Sequence, residues 1–328
     1  MDSALLDLVL ASTGASSAKR GDQIQSLWSG YGEIVRIHLE GSPHGGSVIV
    51  KHVAPPHGGS HPRGWSTDRS HERKLRSYEV EGTFYQRFAS RCLPQARVPR
   101  CFAIAERDGQ HFFVLEDLDA AGFPARGASL RESQLDACLR WLGHFHAAFI
   151  GVPAEGLWET GTYWHLATRP DEWAAMADSD LRKHAKNIDE RLSSARFQTF
   201  VHGDAKVANF CFSTDGRTVA AVDFQYVGGG CGMKDLAYFL GSCLSEDECE
   251  EREVELLDRY FDHLKAGLGD KLADETWQAL EAEWRALFPV AWADFHRFLQ
   301  GWAPGHWKVN GYGDRLVAEV ISELQSTS

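Results

Sequence analysis

The amino-acid sequence predicts an α+β fold of two lobes: an antiparallel β lobe over residues 1–117 and a mainly helical lobe over 118–328. Three observations carry this expectation. The first third of the chain sets β-branched runs between turn-forming stretches and holds one helical stripe. After residue 117 apolar residues recur at helical spacing almost to the end. Inside that helical part stands one short β-hairpin, bordered by polar residues. At 328 residues the chain has room for about two domains and for a core that needs no staples.

The elements follow in order. Ala4 to Ala11 is apolar but broken by Asp7, and no basic segment precedes it, so it does not read as a signal peptide. Glu33 to Leu39 alternates Ile34, Arg36 and His38 against Val35, Ile37 and Leu39, and Ser47 to Val53 is rich in Val and Ile; both read as strands. Glu40 to Gly46 between them is full of turn formers. Pro55 to Ser70 is a polar loop longer than the usual connection. A helix is expected from about Ser70 to Ser90, with Leu75, Tyr78, Tyr85 and Phe88 on one stripe. Arg100 to Glu106 and His111 to Leu115 form a strand pair. Ser129-Leu130-Arg131-Glu132 and Ser245-Glu246-Asp247-Glu248 both read as capping boxes that open helices.

Composition narrows the function. The apolar fraction of 43% and charged fraction of 24% are those of a soluble globular protein and exclude a collagen, a coiled coil or a disordered chain. The net charge of −12 argues against nucleic-acid binding and suits, more weakly, a cationic substrate. Seven cysteines without a C-x-x-C pair fit neither a disulfide framework nor a zinc ribbon. No run approaches 18 uninterrupted apolar residues. A cytoplasmic protein with no membrane partner is expected; the oligomeric state is open.

The strongest signal is Val201-His202-Gly203-Asp204-Ala205-Lys206-Val207-Ala208-Asn209-Phe210, followed fourteen residues after Asn209 by Asp223 in Val222-Asp223-Phe224. Phe210 to Ser213 and Arg217 to Val222 read as strands with Thr214-Asp215-Gly216 as the turn. So short a hairpin brings Asn209 and Asp223 side by side, with Asp204 on the loop before them. Phosphoryl transfer to a hydroxyl needs this set. One carboxylate accepts the hydroxyl proton, while an amide oxygen and a second carboxylate hold Mg²⁺ against the phosphates.

The pattern resembles the protein-kinase catalytic loop and its D-F-G, with Gly203 in place of Arg and Gln225 in place of the last Gly. His-Gly-Asp in that place is similar to the aminoglycoside-phosphotransferase and choline-kinase branch. Leu115-Glu116-Asp117-Leu118, Leu142-Gly143-His144-Phe145-His146-Ala147 and Asp235-Leu236-Ala237-Tyr238-Phe239-Leu240 resemble the ecdysteroid-kinase-like family within it. The resemblance spans roughly residues 30 to 245. It implies a two-lobed protein-kinase-like fold, ATP, Mg²⁺ and a hydroxylated small-molecule acceptor, whether choline-like, aminoglycoside-like or steroid-like.

It also implies further parts. Lys51, ending Val48-Ile49-Val50, is the lysine that contacts the α- and β-phosphates. Gly30 and Gly32 either cover the phosphates or make an ordinary turn. Glu116, Asp117 and Leu118 form the hinge whose backbone meets adenine. Lys206 contacts the γ-phosphate or is solvated. Asp235 braces the catalytic loop, caps its helix, or does both. Lys51 needs a helix carboxylate, and Glu81 shares the stripe of Tyr78, Tyr85 and Phe88 whereas Glu79 lies about 160° away, so Glu81 is expected to be the partner.

Five of the eleven Trp fall after residue 276. Trp277, Trp284 and Trp292 recur at near-helical spacing and read as core. Trp302 and Trp307, in a loop-like stretch, read as pocket wall, where aromatic faces suit a quaternary amine or a flat neutral acceptor. The segment after Asp223 is short and lacks a phosphosite-and-A-P-E arrangement, which favours a small acceptor over a protein. Asp204 as base with Lys206, Lys51 and Glu81, and Asn209 with Asp223 as metal ligands, complete the expected site. Two alternatives stand beside it: a nucleotide-binding pseudokinase acting as a regulatory or scaffold protein, and a metal-dependent hydrolase using His202, Asp204 and Asp223.

Overall fold

The alternation read in the first lobe builds a sheet. In the computed structural model, which describes residues 3–27, 30–55, 68–127 and 129–327, five strands pair antiparallel in the order β1-β2-β3-β5-β4. They are β1 (Ser17–Ser26), β2 (Gly32–Glu40), β3 (Ser47–Val53), β4 (Cys101–Arg107) and β5 (Gln110–Glu116). Val35, Ile37 and Leu39 of β2 are buried with Val48, Val50, Phe112 and Val114 beneath helix α1 (Ser3–Thr13), which contributes Leu5 and Val9. Helix α2 (Asp68–Arg87) covers the other face with Tyr78, Val80, Phe84 and Tyr85. In register, Lys51 lies between Ile34 of β2 and Phe113 of β5.

β1 has no counterpart in the sequence reading. Its sequence, SAKRGDQIQS, is exposed along most of its length, so no apolar alternation marks it. Most of the Pro55–Ser70 loop, Ser29 and the Ala128 end of the loop that follows the hinge lie outside the described residues.

The second lobe begins with α3 (Glu132–Phe149). Its start corrects the capping expectation: Arg131 is the N-cap, and its N–H donates to Gln134 Oε1 at 3.0 Å, so the box sits two residues beyond Ser129. Short helices α4 (Pro170–Ala175), α5 (Asp180–Lys183) and α6 (Ala185–Ser193) lead to β6 (Thr199–Val201). The hairpin is β7 (Phe210–Phe212) and β8 (Val219–Ala221), and β9 (Gly228–Gly230) returns to pair with β6.

Then come α7 (Met233–Cys243), α8 (Glu246–Leu268), α9 (Asp274–Trp302) and α10 (Gly311–Thr327). Here the second capping box holds: Ser245 Oγ accepts the Glu248 N–H at 3.3 Å, and Glu248 Oε2 accepts the Ser245 N–H at 2.8 Å. Trp277, Trp284 and Trp292 are buried core, as their spacing implies, whereas Trp302 is 44% exposed and Trp307 60%. Among the described residues no helix is long and apolar enough to cross a membrane.

Candidate active site

A cleft of about 1760 Å³ separates the sheet from the helical lobe, and the catalytic-loop segment lines it. That loop is held by a carboxylate from below. Asp235, wholly buried in the first turn of α7, accepts the His202 N–H at 2.5 Å and the Gly203 N–H at 2.9 Å. The N-cap of α7 is Gly232, so of the two readings of Asp235 the brace is the one realised. His146 Nε2 lies 3.2 Å from the same carboxylate and its Nδ1 2.7 Å from Tyr260 Oη. Gly203 has φ of +79°, and a Cβ there would stand 2.2 Å from the Tyr226 carbonyl oxygen. This tight left-handed turn explains why glycine occupies the place where protein kinases carry arginine. The His202 ring is satisfied when protonated on Nε2: that nitrogen is 3.0 Å from Val222 O, and Nδ1 accepts the Asp204 N–H at 3.2 Å.

Asp204 is 6% exposed. Its Oδ2 accepts from Lys206 Nζ at 2.9 Å and from Asn209 Nδ2 at 3.1 Å, and Oδ1 accepts from Tyr238 Oη at 3.1 Å. Burial pushes this carboxyl above its ordinary value, against the opposing pull of the Lys206 ammonium. Asn209 also donates to the Asp204 carbonyl at 2.8 Å. Both bonds use the amide nitrogen, which leaves Oδ1 without a partner among the described residues.

The hairpin does what its length implies. Val222 N–H donates to Asn209 O at 3.0 Å at its open end, so Asp223 follows directly beside Asn209. Asp223 has φ of +71° and a side chain 34% exposed to the cleft. Burial alone would raise its pKa, but Lys51, Lys74 and Lys206 outweigh that and hold it at about 2. Asn209 and Asp223 therefore offer two hard oxygen donors, a set that fits Mg²⁺, which takes few carboxylates and completes its shell with phosphate and water. Among the described residues no group of three or more His, Cys, Asp and Glu is arranged to hold a metal, as the hydrolase alternative would require.

From the sheet, Lys51 Nζ reaches Glu81 Oε2 at 2.6 Å and Asp223 Oδ1 at 3.5 Å. Lys51 and Glu81 are both buried, whereas Glu79 is exposed and pairs with Arg76 at 3.0 Å. Glu81, on the buried stripe, is thus the carboxylate that pairs with Lys51. Gly32 has φ of +131°, and a Cβ there would stand 2.0 Å from the His52 carbonyl oxygen, so its glycine is explained by packing on β3; Gly30, at φ of +76°, has open space around it. At the hinge, Glu116 holds Arg97 at 2.6 Å, while Asp117 holds Arg36 at 2.6 Å and Ser47 at 2.7 Å. These side chains are committed to bracing, and the backbone is partly engaged as well: Glu116 N–H donates to Arg100 O at 2.8 Å, and the Asp117 and Leu118 carbonyls accept from Ala121 at 2.9 Å and Phe123 at 2.8 Å.

Several residues escaped the sequence reading. Gln225 Nε2 donates to Asp223 Oδ1 at 2.5 Å, and its Oε1 accepts from Lys74 Nζ at 2.9 Å and Ser77 Oγ at 3.1 Å. This amide, standing where protein kinases have glycine, ties Asp223 to α2. Lys74 is held at about 8 by burial, and its ammonium lies 4.9 Å from the Tyr78 ring centroid. Tyr163, Phe295, Phe298 and Trp302 form an aromatic wall of the cleft. Beneath it, Lys234 Nζ lies 3.5 Å from Asp294 Oδ2, and Asp294 pairs with Arg297 at 2.9 Å, all three buried. Of these, Gln225 stands in the D-F-G position and Trp302 is the expected pocket wall; the others belong to no motif.

A model of the phosphotransferase enzyme family matches residues 41–281. Among solved structures, the chain is similar to a microcompartment-associated aminopropanol kinase (TM-score 0.49, 14% identity, 99% of this chain and 98% of that one). It is also similar to an aminoglycoside phosphotransferase from Streptomyces rimosus in complex with ADP and streptomycin (0.44, 16%, 87% and 97%). A third is a choline/ethanolamine kinase family protein from Mesorhizobium loti (0.45, 12%, 98% and 95%). No curated protein sequence matches the chain. Since the family model takes in well over half of the residues, from β3 through the catalytic loop and into α9, the chain belongs to the phosphotransferase enzyme family.

Proposed function

We propose that this protein is an ATP- and Mg²⁺-dependent kinase that phosphorylates a hydroxyl group of a small molecule. The observation that carries the reading is the gathering of Asp204, Asn209, Asp223 and the Lys51–Glu81 pair around one cleft, with no polar member replaced. That completeness favours a kinase over a pseudokinase. Asp204 orients the acceptor hydroxyl and takes its proton, and its burial raises its basicity. Asn209 Oδ1 and the ionised Asp223 would hold Mg²⁺, which supplies charge neutralisation at the phosphates. Lys51, fixed by Glu81, presents its ammonium to the α- and β-phosphates, and Lys206 stands beside Asp204 for the transferred group. The backbone at Glu116 to Leu118 takes the base, with Gly30 on the phosphate side.

The short path from Asp223 to α7 supports a small acceptor. It runs directly through β9, which is paired to β6, and leaves no long segment to dock a peptide. The test is ADP release on a mixed panel of alcohols, with Asp204→Asn beside the parent. The variant is expected to lose about 10²- to 10⁴-fold in turnover while calorimetry shows ATP still bound. Turnover within about threefold of the parent removes Asp204 as the base.

A further inference from the structure

The aromatic wall expected to suit a quaternary amine already faces a cation of the protein's own. Lys308, in the segment between α9 and α10, places its ammonium 4.7 Å from the Tyr238 ring centroid, 5.4 Å from that of Phe295 and 5.6 Å from that of Trp307. All three lie within cation–π range. The segment that carries it is folded: His306 N–H donates to Ala303 O at 2.9 Å, and the His306 ring accepts the Lys308 N–H at 3.2 Å. Lys308 lines the cleft, and among the described residues its ammonium has no carboxylate partner. Burial lowers it to about 8, against the pull of the Asp204 carboxylate.

The carboxylates on this side already face cations of the protein. Glu172, on the acceptor side, is paired with Arg169 at 3.1 Å. Asp204 is occupied by Lys206, and Asp223 lies among lysines. The net acidity of the chain therefore resides elsewhere than in this wall. A second ammonium brought here meets like charge in a partly dehydrated site.

Resting on the kinase reading above, we propose that Lys308 recognises an oxyanion on the acceptor, so that the substrate class is a hydroxylated molecule with a flat apolar body and a carboxylate or similar anionic group, and not a choline or a polyamine. Tyr238 sets the spacing: its hydroxyl donates to Asp204 and its ring faces Lys308, so hydroxyl and oxyanion stand on either side of one phenol. Phe295, Phe298 and Trp302 receive the body.

Matched probes test this. The set is 4-(hydroxymethyl)benzoate, its sulfonate and phosphonate analogues, the neutral benzamide, and the trimethylanilinium congener. Each is assayed for ADP release and phosphorylated product, and each is titrated calorimetrically in the presence of a non-hydrolysable ATP analogue. The anionic probes are expected to bind at least about tenfold more tightly than the amide, and the cation least, because a hydrogen bond to a charged group contributes about a decade or more in affinity. Ranking among the three anions identifies which oxyanion the site prefers. Lys308→Gln should abolish the lead of the anions, and Lys308→Arg should keep most of it, which shows that the site still folds.

A preference for the cation, equal binding of all probes, no binding of any, or an anion preference that survives Lys308→Gln overturns the assignment. So does a change in ATP KM that is the same with every acceptor, which would place Lys308 on the nucleotide. Failure of the kinase reading looks different: probes bind in the expected order, yet none is phosphorylated.

Discussion

Glu81→Gln is the substitution whose cost the structure lets one work out. Lys51 and Glu81 are 2.6 Å apart, with side chains 5% and 1% exposed. Removing one charge from such a pair strands the other, at about 3–5 kcal/mol. Two features put this case at the lower end. Glutamine keeps an oxygen toward the ammonium, and Asp223 remains at 3.5 Å, although a third of its side chain faces solvent. The expected loss is about 3 kcal/mol, or roughly two orders of magnitude in the folding equilibrium. Glu79→Gln is the matched control: its exposed i,i+3 pair with Arg76 is expected to contribute about 0.5 kcal/mol or less.

Urea unfolding at pH 7, followed by far-ultraviolet circular dichroism, compares the two. The pH dependence has a definite sign. In the parent, burial lowers the Lys51 pKa, but Glu81 and Asp223 outweigh it and hold it above the ordinary 10.5. The stability this confers is complete below 10.5 and lost as pH rises through the folded value. In the variant burial prevails, the penalty of a charged Lys51 fades as pH rises, and the gap from the parent narrows between pH 7 and pH 10. Turnover falls as well, since Lys51 loses the carboxylate that aims it at the phosphates. Equal effects of Glu81→Gln and Glu79→Gln, or a gap that does not change with pH, would refute the reasoning.

Two further substitutions probe the metal side and the loop. Asp223→Ala should abolish the Mg²⁺-dependent part of ATP binding in calorimetry, and an unchanged metal dependence places the metal elsewhere. Because Lys51, Lys74 and Lys206 hold Asp223 at about 2, its contribution to stability is present above the ordinary 3.8 and lost as pH falls toward 2; the variant should show a shallower acid limb. Gly203→Ala forces a Cβ to within 2.2 Å of Tyr226 O and 2.7 Å of Thr162 N, and should destabilise the protein by about 2–3 kcal/mol. A variant that unfolds within about 0.5 kcal/mol of the parent contradicts that geometry.

What was legible in the sequence was legible where local chemistry is strict. A hairpin of a few residues cannot help placing its ends together, which is why the sequence already sets Asp223 beside Asn209. A helix with one buried stripe fixes which of two glutamates faces inward, which is why Glu81 was preferred. β1 carries no signal because its faces are largely solvated, and the α3 capping box is misplaced because Ser129-x-x-Glu132 and Arg131-x-x-Gln134 compete within six residues. Lys74, Gln225 and Lys308 were illegible for a different reason. Each acquires its role from partners far along the chain, such as the 151 residues between Lys74 and Gln225, and spacing carries no information about such meetings.

Lys234 and Asp235 are consecutive, yet they serve different sides of the cleft. Asp235 fixes the backbone that presents Asp204, and Lys234, through Asp294, fixes the stretch of α9 that carries Phe295 and Phe298. On the kinase reading proposed above, the base and the acceptor wall are thereby surveyed from one benchmark, a single peptide unit at the start of α7. Misalignment between them cannot accumulate through intervening loops, and in-line attack tolerates little of it, since an ångström of displacement is enough to cost about a hundredfold in rate. A substitution on the wall that leaves Lys234 and Asp294 in place therefore leaves the register between Asp204 and the wall backbone undisturbed.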